Sequence, residues 1–148
     1  MLKLSIIIPV YNEEKTVKKV IEKVKKAKLN GVYKELIVVE DCSSDSTRQI
    51  LKNINDKSLK IVFHAKNMGK GASIRTGIKN ATGDIILVQD ADLEYDPSEY
   101  KKLLKPIIEG KAEVVYGSRL ESIRKNLKNM YKVHYIGKPP PAPDARQI

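Results

Sequence analysis

Tryptophan is missing from these 148 residues, and phenylalanine and cysteine occur once each. With Cys42 as the sole thiol, no disulfide can close within the chain and no zinc site can be built from several thiolates, which fits a reducing compartment. Few aromatic rings means few platforms on which bases stack, so nucleic acid is set aside as a partner even though Lys plus Arg outnumber Asp plus Glu by 28 to 18. That basic excess suits a phosphorylated ligand or an acidic membrane surface. Lys18, Lys19, Lys23, Lys25 and Lys26 fall on one polar helix face, where solvation accounts for them. No apolar run approaches the roughly 20 residues of a membrane span, and the opening Leu2 to Pro9 stretch is too short for a signal peptide. The expectation is a soluble or peripheral chain. Glycine is also missing where a dinucleotide fingerprint needs it: the first strand runs into Tyr11-Asn12-Glu13-Glu14, which argues against a dinucleotide oxidoreductase.

What is present is an alternation. Ser5 to Val10 is apolar and β-branched, and reads as a buried strand ending in a polar loop. From Thr16 to Lys28 apolar residues recur at Val17, Val20, Ile21, Val24 and Ala27 with lysines opposite, and Asn30-Gly31 closes this helix. Leu36 to Val39 is a second strand, followed by Glu40-Asp41-Cys42-Ser43-Ser44-Asp45-Ser46-Thr47 and a helix carrying Ile50, Leu51 and Ile54. Lys60 to His64 is a third strand. After Asn67-Met68-Gly69-Lys70-Gly71 comes a helix over about 72–81 with Ile74 and Ile78 facing in. Asp96-Pro97 starts a further helix with Tyr100, Leu103, Leu104, Ile107 and Ile108 inward and Pro106 loosening it. Glu113 to Tyr116 is expected as a fifth strand, ending in Gly117-Ser118-Arg119. The pattern predicts an α/β fold: one mainly parallel sheet with helices on both faces.

The fourth strand draws most attention. Ile85 to Val88 carries no polar side chain and reads as buried on both faces, and its end delivers Asp90, Asp92 and Glu94. In extended chain these three point the same way while Ala91 and Leu93 turn inward, so they are expected to converge. Clustered carboxylates need a counter-charge, and hard oxygen donors favour Mg2+ or Mn2+. Tyr11, Glu13, Asp41, the Gly69-Lys70 loop, the Asp90-Ala91-Asp92 run and Arg119 all follow strands, so they should gather at one sheet edge as a single ligand site.

Five segments, Ile6 to Glu14, Val39 to Asp45, Asn67 to Gly71, Asp90 to Asp92 and Gly117 to Arg119, together resemble family 2 glycosyltransferases of the GT-A fold. Within those the resemblance is to the dolichyl-phosphate (polyprenyl-phosphate) mannose and glucose synthases, and it covers about residues 1 to 120. It implies Pro9, Tyr11 and Glu13 against the nucleotide, Asp41 reading the base edge, Lys70 on an anion, and Asp90 near ribose and metal. It further implies Asp92 and Glu94 on the metal, and Arg119 against phosphate. Asp92 and Arg119 are the catalytic candidates. Two departures are that the family usually has Asp where Glu40 stands and Gly where Cys42 stands, implying a slightly different turn.

The implied activity is metal-dependent, inverting transfer of a hexose from a nucleotide sugar, UDP-glucose or GDP-mannose, to a polyprenyl or dolichyl phosphate. A lipid phosphate is already anionic and needs no general base, which agrees with the lack of a catalytic histidine; His64 and His134 are read as structural. The implied location is cytoplasmic, with peripheral contact at the cytoplasmic face of a membrane. Residues 1–135 are expected to form the nucleotide-sugar-binding domain, cut short at its C-terminus, and residues 136–148, with Pro139, Pro140, Pro141 and Pro143, a disordered tail. The alternatives are a nucleotide-sugar-binding module without turnover, or a family 2 transferase with another acceptor.

Overall fold

The computed structural model describes residues 1–116. Gly117-Ser118-Arg119 and the proline-rich residues 136–148 lie outside the described residues. Nine elements alternate: β1 (Leu2–Val10), α1 (Val17–Lys26), β2 (Val32–Glu40), α2 (Thr47–Lys52), β3 (Leu59–Phe63), α3 (Lys70–Asn80), β4 (Ile85–Val88), a 3-10 turn (Pro97–Glu99) and α4 (Tyr100–Ile108). The strands form one parallel sheet in the order β3-β2-β1-β4. Each parallel step needs a crossover, and the reversal of direction between β1 and β4 puts the crossover helices on opposite faces. Leu4, Ile6, Ile8 and Val10 of β1 pack with Val17, Val20, Ile21 and Val24 of α1, Leu51 of α2, and Tyr100 and Leu104 of α4. Ile7, of opposite parity, faces α3.

α3 departs from its expected face. Ala72, Ser73 and Gly77 are its buried residues, Ile74 is half-buried and Ile78 is 46% exposed. The cause is distance: a Cβ on Gly77 would lie 2.3 Å from Ile7 Cγ2, so the helix reaches the sheet only where side chains are small.

β4 also differs from expectation. Among the described residues it is the edge strand, bonded only to β1, and Ile86 and Val88 are 43% and 42% exposed, so the strand is covered on one face and not on two. An uninterrupted apolar run is compatible with an edge position, because hydrophobicity does not encode how many neighbours a strand has. The fifth strand expected at Glu113 to Tyr116 does not form: these residues are irregular, with Val114 and Tyr116 exposed. Asp96 does open the 3-10 turn as expected, its Oδ1 accepting from Ser98 N at 2.9 Å. The α1 carboxyl end is closed by a distant lysine, Lys34, whose Nζ donates to the carbonyls of Val24, Lys25 and Ala27 at 2.8, 2.6 and 2.5 Å.

β1 shows how the sheet opens a crevice. Ile7 O accepts from Gln89 N and Val10 O from Asp41 N, so odd-numbered backbone groups of β1 point to β4 and even-numbered ones to β2. Pairing with β4 stops at Ile7↔Val88, whereas pairing with β2 runs on to Val10↔Glu40. Pro9, which has no N–H to donate, falls on the β4 side just past the last pair.

Candidate functional site

At the carboxyl ends of β1 and β2 two loops are stitched together. Asn12 N donates to Ser43 Oγ at 3.0 Å and Ser44 N to Asn12 Oδ1 at 2.8 Å. Glu13 N donates to Thr47 Oγ1 at 2.8 Å, Glu14 N to Asp45 Oδ2 at 3.2 Å, and Ser46 N to Glu14 Oε2 at 3.0 Å. Short polar side chains are what such loops require, since each satisfies a backbone group that neither sheet nor helix can reach. The Glu13 carboxylate itself takes the Thr16 hydroxyl at the start of α1.

Asp41 is buried at 2% exposure and holds the third loop. Its Oδ1 takes His64 Nδ1 at 2.6 Å and Met68 N at 2.9 Å, and its Oδ2 takes Gly69 N at 2.7 Å. Burial pushes the Asp41 carboxyl up, but the hydrogen bonds from His64, Met68 and Gly69 outweigh it and leave the group below its ordinary value. Gly69 sits at φ +84, which glycine adopts without strain, and this turns the chain into α3. His64 Nε2 is in turn 2.9 Å from Thr76 Oγ1 of α3. Next to Asp41, Glu40 is fully buried and paired with Arg48 Nη1 at 2.9 Å, and Ser43 N donates to its Oε1. Cys42 stands at φ +58, so the turn uses the left-handed region with a residue other than glycine.

Beyond β4 the expected convergence is only partial. Asp90 Oδ1 is 2.6 Å from Lys70 Nζ, the first residue of α3, and Asp92 is exposed with its Oδ1 accepting from Glu94 N at 3.1 Å. Leu93 takes φ +65, which ends the extended alternation that would have aligned Glu94 with the two aspartates. Among the described residues no three His, Cys, Asp or Glu side chains form a group able to hold a metal ion. The donor chemistry still fits Mg2+ or Mn2+ shared with a ligand: Asp90 and Asp92 line the same cavity with hard oxygens, and such ions commonly take one or two carboxylates and complete their shell with phosphate and water.

That cavity has a volume of about 350 Å3 and opens at the β1/β4 reversal, where open parallel sheets bind ligands. Of the residues singled out from sequence, Pro9, Tyr11, Glu13, Asp41, Lys70, Asp90 and Asp92 line it; Glu94 does not, and Arg119 is outside the described residues. Asn67 and Ser73 also line it, and His64, Glu40 and Arg48 brace it from behind. A signal for His64 existed in its position directly after β3, as Tyr11 directly follows β1 and Asp41 directly follows β2. Gln89 likewise directly follows β4, but its bracing contacts are tertiary: its Oε1 accepts from the buried Tyr100 hydroxyl at 2.7 Å and its Nε2 donates to Asp90 O at 3.0 Å, tying α4 to the acidic turn. Burial raises the Tyr100 hydroxyl far above its ordinary range, so it stays a donor.

Comparison with known proteins places this geometry. The sequence pattern described as Glycosyl transferase family 2 matches residues 5–146. A dolichol-phosphate mannosyltransferase of Pyrococcus furiosus is 34% identical over 119 residues, 80% of this chain and 33% of its own. A UDP-N-acetylglucosamine–dolichyl-phosphate N-acetylglucosaminyltransferase of Methanococcus voltae is 33% identical, covering 89% of this chain and 57% of its own. The chain thus spans a third to little more than half the length of these relatives. Among solved structures, glucosyl-3-phosphoglycerate synthase of Mycobacterium tuberculosis, in complex with Mn2+, UDP and glucosyl-3-phosphoglycerate, superimposes with a TM-score of 0.57 at 25% identity, over 72% of this chain and 39% of that one.

Proposed function

Because the chain belongs to glycosyl transferase family 2, we propose that its cavity binds a nucleoside-diphosphate sugar and that a hexose is transferred from it, with inversion, to a polyprenyl or dolichyl phosphate. The observation that carries this reading is the meeting of β1, β2, α3 and β4 residues around one cavity at the sheet's reversal point, with two carboxylates one residue apart on its wall. UDP and Mn2+ in the solved relative and the dolichyl-phosphate names of the sequence relatives support the donor, metal and acceptor classes.

In this reading Pro9, Tyr11 and Glu13 flank the nucleotide. Asp41 accepts from a ring N–H of the base: Oδ1 already takes two donors and Oδ2 one, so one acceptor position remains on Oδ2. Asp90 and Asp92 hold the divalent ion, with Glu94 able to join only if the Leu93 turn rearranges. When bound, that ion neutralises charge developing on the leaving diphosphate. Lys70 and Arg119 are the side-chain cations assigned to phosphate, Arg119 through a planar guanidinium shaped for it. An acceptor phosphate brings its own anionic nucleophile, so no side chain is assigned as base. A lipid acceptor calls for peripheral contact with a membrane, and the proposal puts that contact at the cytoplasmic face; among the described residues no helix is long and apolar enough to cross one.

Calorimetric titration with UDP-glucose and GDP-mannose, in Mn2+ and again in EDTA, tests the donor site, and radiolabelled transfer to a short polyprenyl phosphate tests turnover. Metal-dependent binding of one donor is expected. Absence of binding for both donors overturns the reading, and binding without transfer reduces it to a nucleotide-sugar-binding module.

A further inference from the structure

Lys70 and Asp90 meet across the cavity, and among the described ion pairs theirs is the pair with both partners on that cavity's wall. Lys105 and Lys111 meet Glu109 close in sequence, at 3.8 and 2.7 Å on the surface. Lys70 Nζ instead reaches from the first residue of α3 to Asp90 Oδ1 at 2.6 Å, past the end of β4, with 60% of the lysine side chain but only 18% of the aspartate exposed. Both residues line the cavity proposed above for a diphosphate and a divalent ion. Asp90 is therefore a mostly sheltered carboxylate whose counter-charge comes from a mobile stem that solvent can reach.

We propose that Lys70 is a built-in counter-ion that occupies the metal-binding oxygen of Asp90 when no donor is bound, and moves to the donor's phosphate when the divalent ion arrives. The inference rests on the metal and donor reading above and adds to it a competition between the chain's own ammonium and the metal. The physical argument is charge. An ammonium and a divalent ion at one carboxylate oxygen repel, so one must leave; a lysine stem of four carbons can leave without moving α3. A diphosphate supplies a new partner within the same cavity, so the lysine exchanges one anion for another. Gly69 at φ +84 starts α3 under this lysine, and its N–H is fixed by Asp41, so the stem's base stays in place while its end moves. Metal alone should then bind weakly, and metal with nucleotide should bind together.

The test is Mn2+ binding without nucleotide, read by the free-Mn2+ electron paramagnetic resonance signal, in the parent, Lys70→Gln and Lys70→Arg. Because Lys70 is largely exposed, both variants should fold. Removing the ammonium is expected to tighten Mn2+ by about five-fold, the upper range for a partly exposed ion pair, while Lys70→Arg stays near the parent. Adding UDP should reverse the order, with Lys70→Gln binding UDP–Mn2+ more weakly than the parent. Equal or weaker Mn2+ affinity in Lys70→Gln overturns the proposal, as does no measurable Mn2+ binding by any of the three proteins. If Lys70→Gln tightens Mn2+ but no nucleotide binds to any of them, the competition stands for the metal and the donor reading falls.

Discussion

His64 Nδ1 lies 2.6 Å from Asp41 Oδ1, so the ends of β3 and β2 are joined by a buried pair directly beneath the loop that opens α3. Met68 N and Gly69 N donate to the same carboxylate, and Thr76 Oγ1 meets the far side of the imidazole. One aspartate on the cavity wall thereby positions the loop that opens α3.

Asp41→Asn is expected to cost about 1–3 kcal/mol both in unfolding free energy and in nucleotide binding, because an amide replaces one acceptor oxygen with a donor facing other donors. Urea unfolding and calorimetry with UDP and GDP measure the two effects. Loss of stability with unchanged affinity would confine Asp41 to holding the loop.

Asp92→Ala should remove the metal dependence of nucleotide binding. Diphosphate beside Asp90 and Asp92 is repelled unless a divalent ion intervenes. The quantity to compare is UDP affinity in Mn2+ against EDTA: a ratio near one is expected for the variant, and an undiminished ratio would take Asp92 off the metal.

Gly77→Ala should destabilise the fold by about 1–3 kcal/mol, since overpacking against Ile7 outweighs the gain in helix propensity of at most about 1 kcal/mol. Pairing it with Ile7→Ala should recover part of the loss, so thermal unfolding of the two single variants and the double should be non-additive.

Glu35 sets part of the acid limit. Burial raises its carboxyl, but hydrogen bonds from Ser5, the Thr82 N–H, the Thr82 hydroxyl and Lys3 lower it from 4.5 to about 2. A depressed folded value means the unfolded chain takes up the proton first. The contribution is complete above the unfolded value near 4.5 and is lost as pH falls towards about 2. With the side chain 19% exposed, the contribution is on the order of 2 kcal/mol after allowance for screening. Glu35→Gln should therefore lower stability at neutral pH and flatten its fall between those values, as followed by circular dichroism across pH. An unchanged acid limb would show that the four donors hold Glu35 no better than water does.

The order of elements and the placement of polar residues after strands were legible because they are local. Hydrophobic periods of about 2 and 3.6 residues distinguish strand from helix within a few residues. Right-handed crossovers then send every strand's end to the same edge, so Tyr11, Glu13, Asp41, Lys70, Asp90 and Asp92 could be assigned to one site before any contact was known, with Pro9 added by the family resemblance.

The tertiary structure decided what depends on neighbours. Ile85 to Val88 reads as a strand buried on both faces, and only the sheet order among the described residues puts Ile86 and Val88 in the open. The inward face of α3 belongs to Ala72, Ser73 and Gly77 because Ile7 already fills the space between helix and sheet, a steric fact set by a strand more than sixty residues earlier. Asp90 and Asp92 share a wall while Glu94 leaves it, since a single left-handed residue, Leu93, breaks the alternation on which the three-carboxylate expectation relied. That Asp41 holds His64, Met68 and Gly69, and that Asp90 is met by Lys70, are matters of a few ångströms between segments distant in sequence, and no periodicity records them.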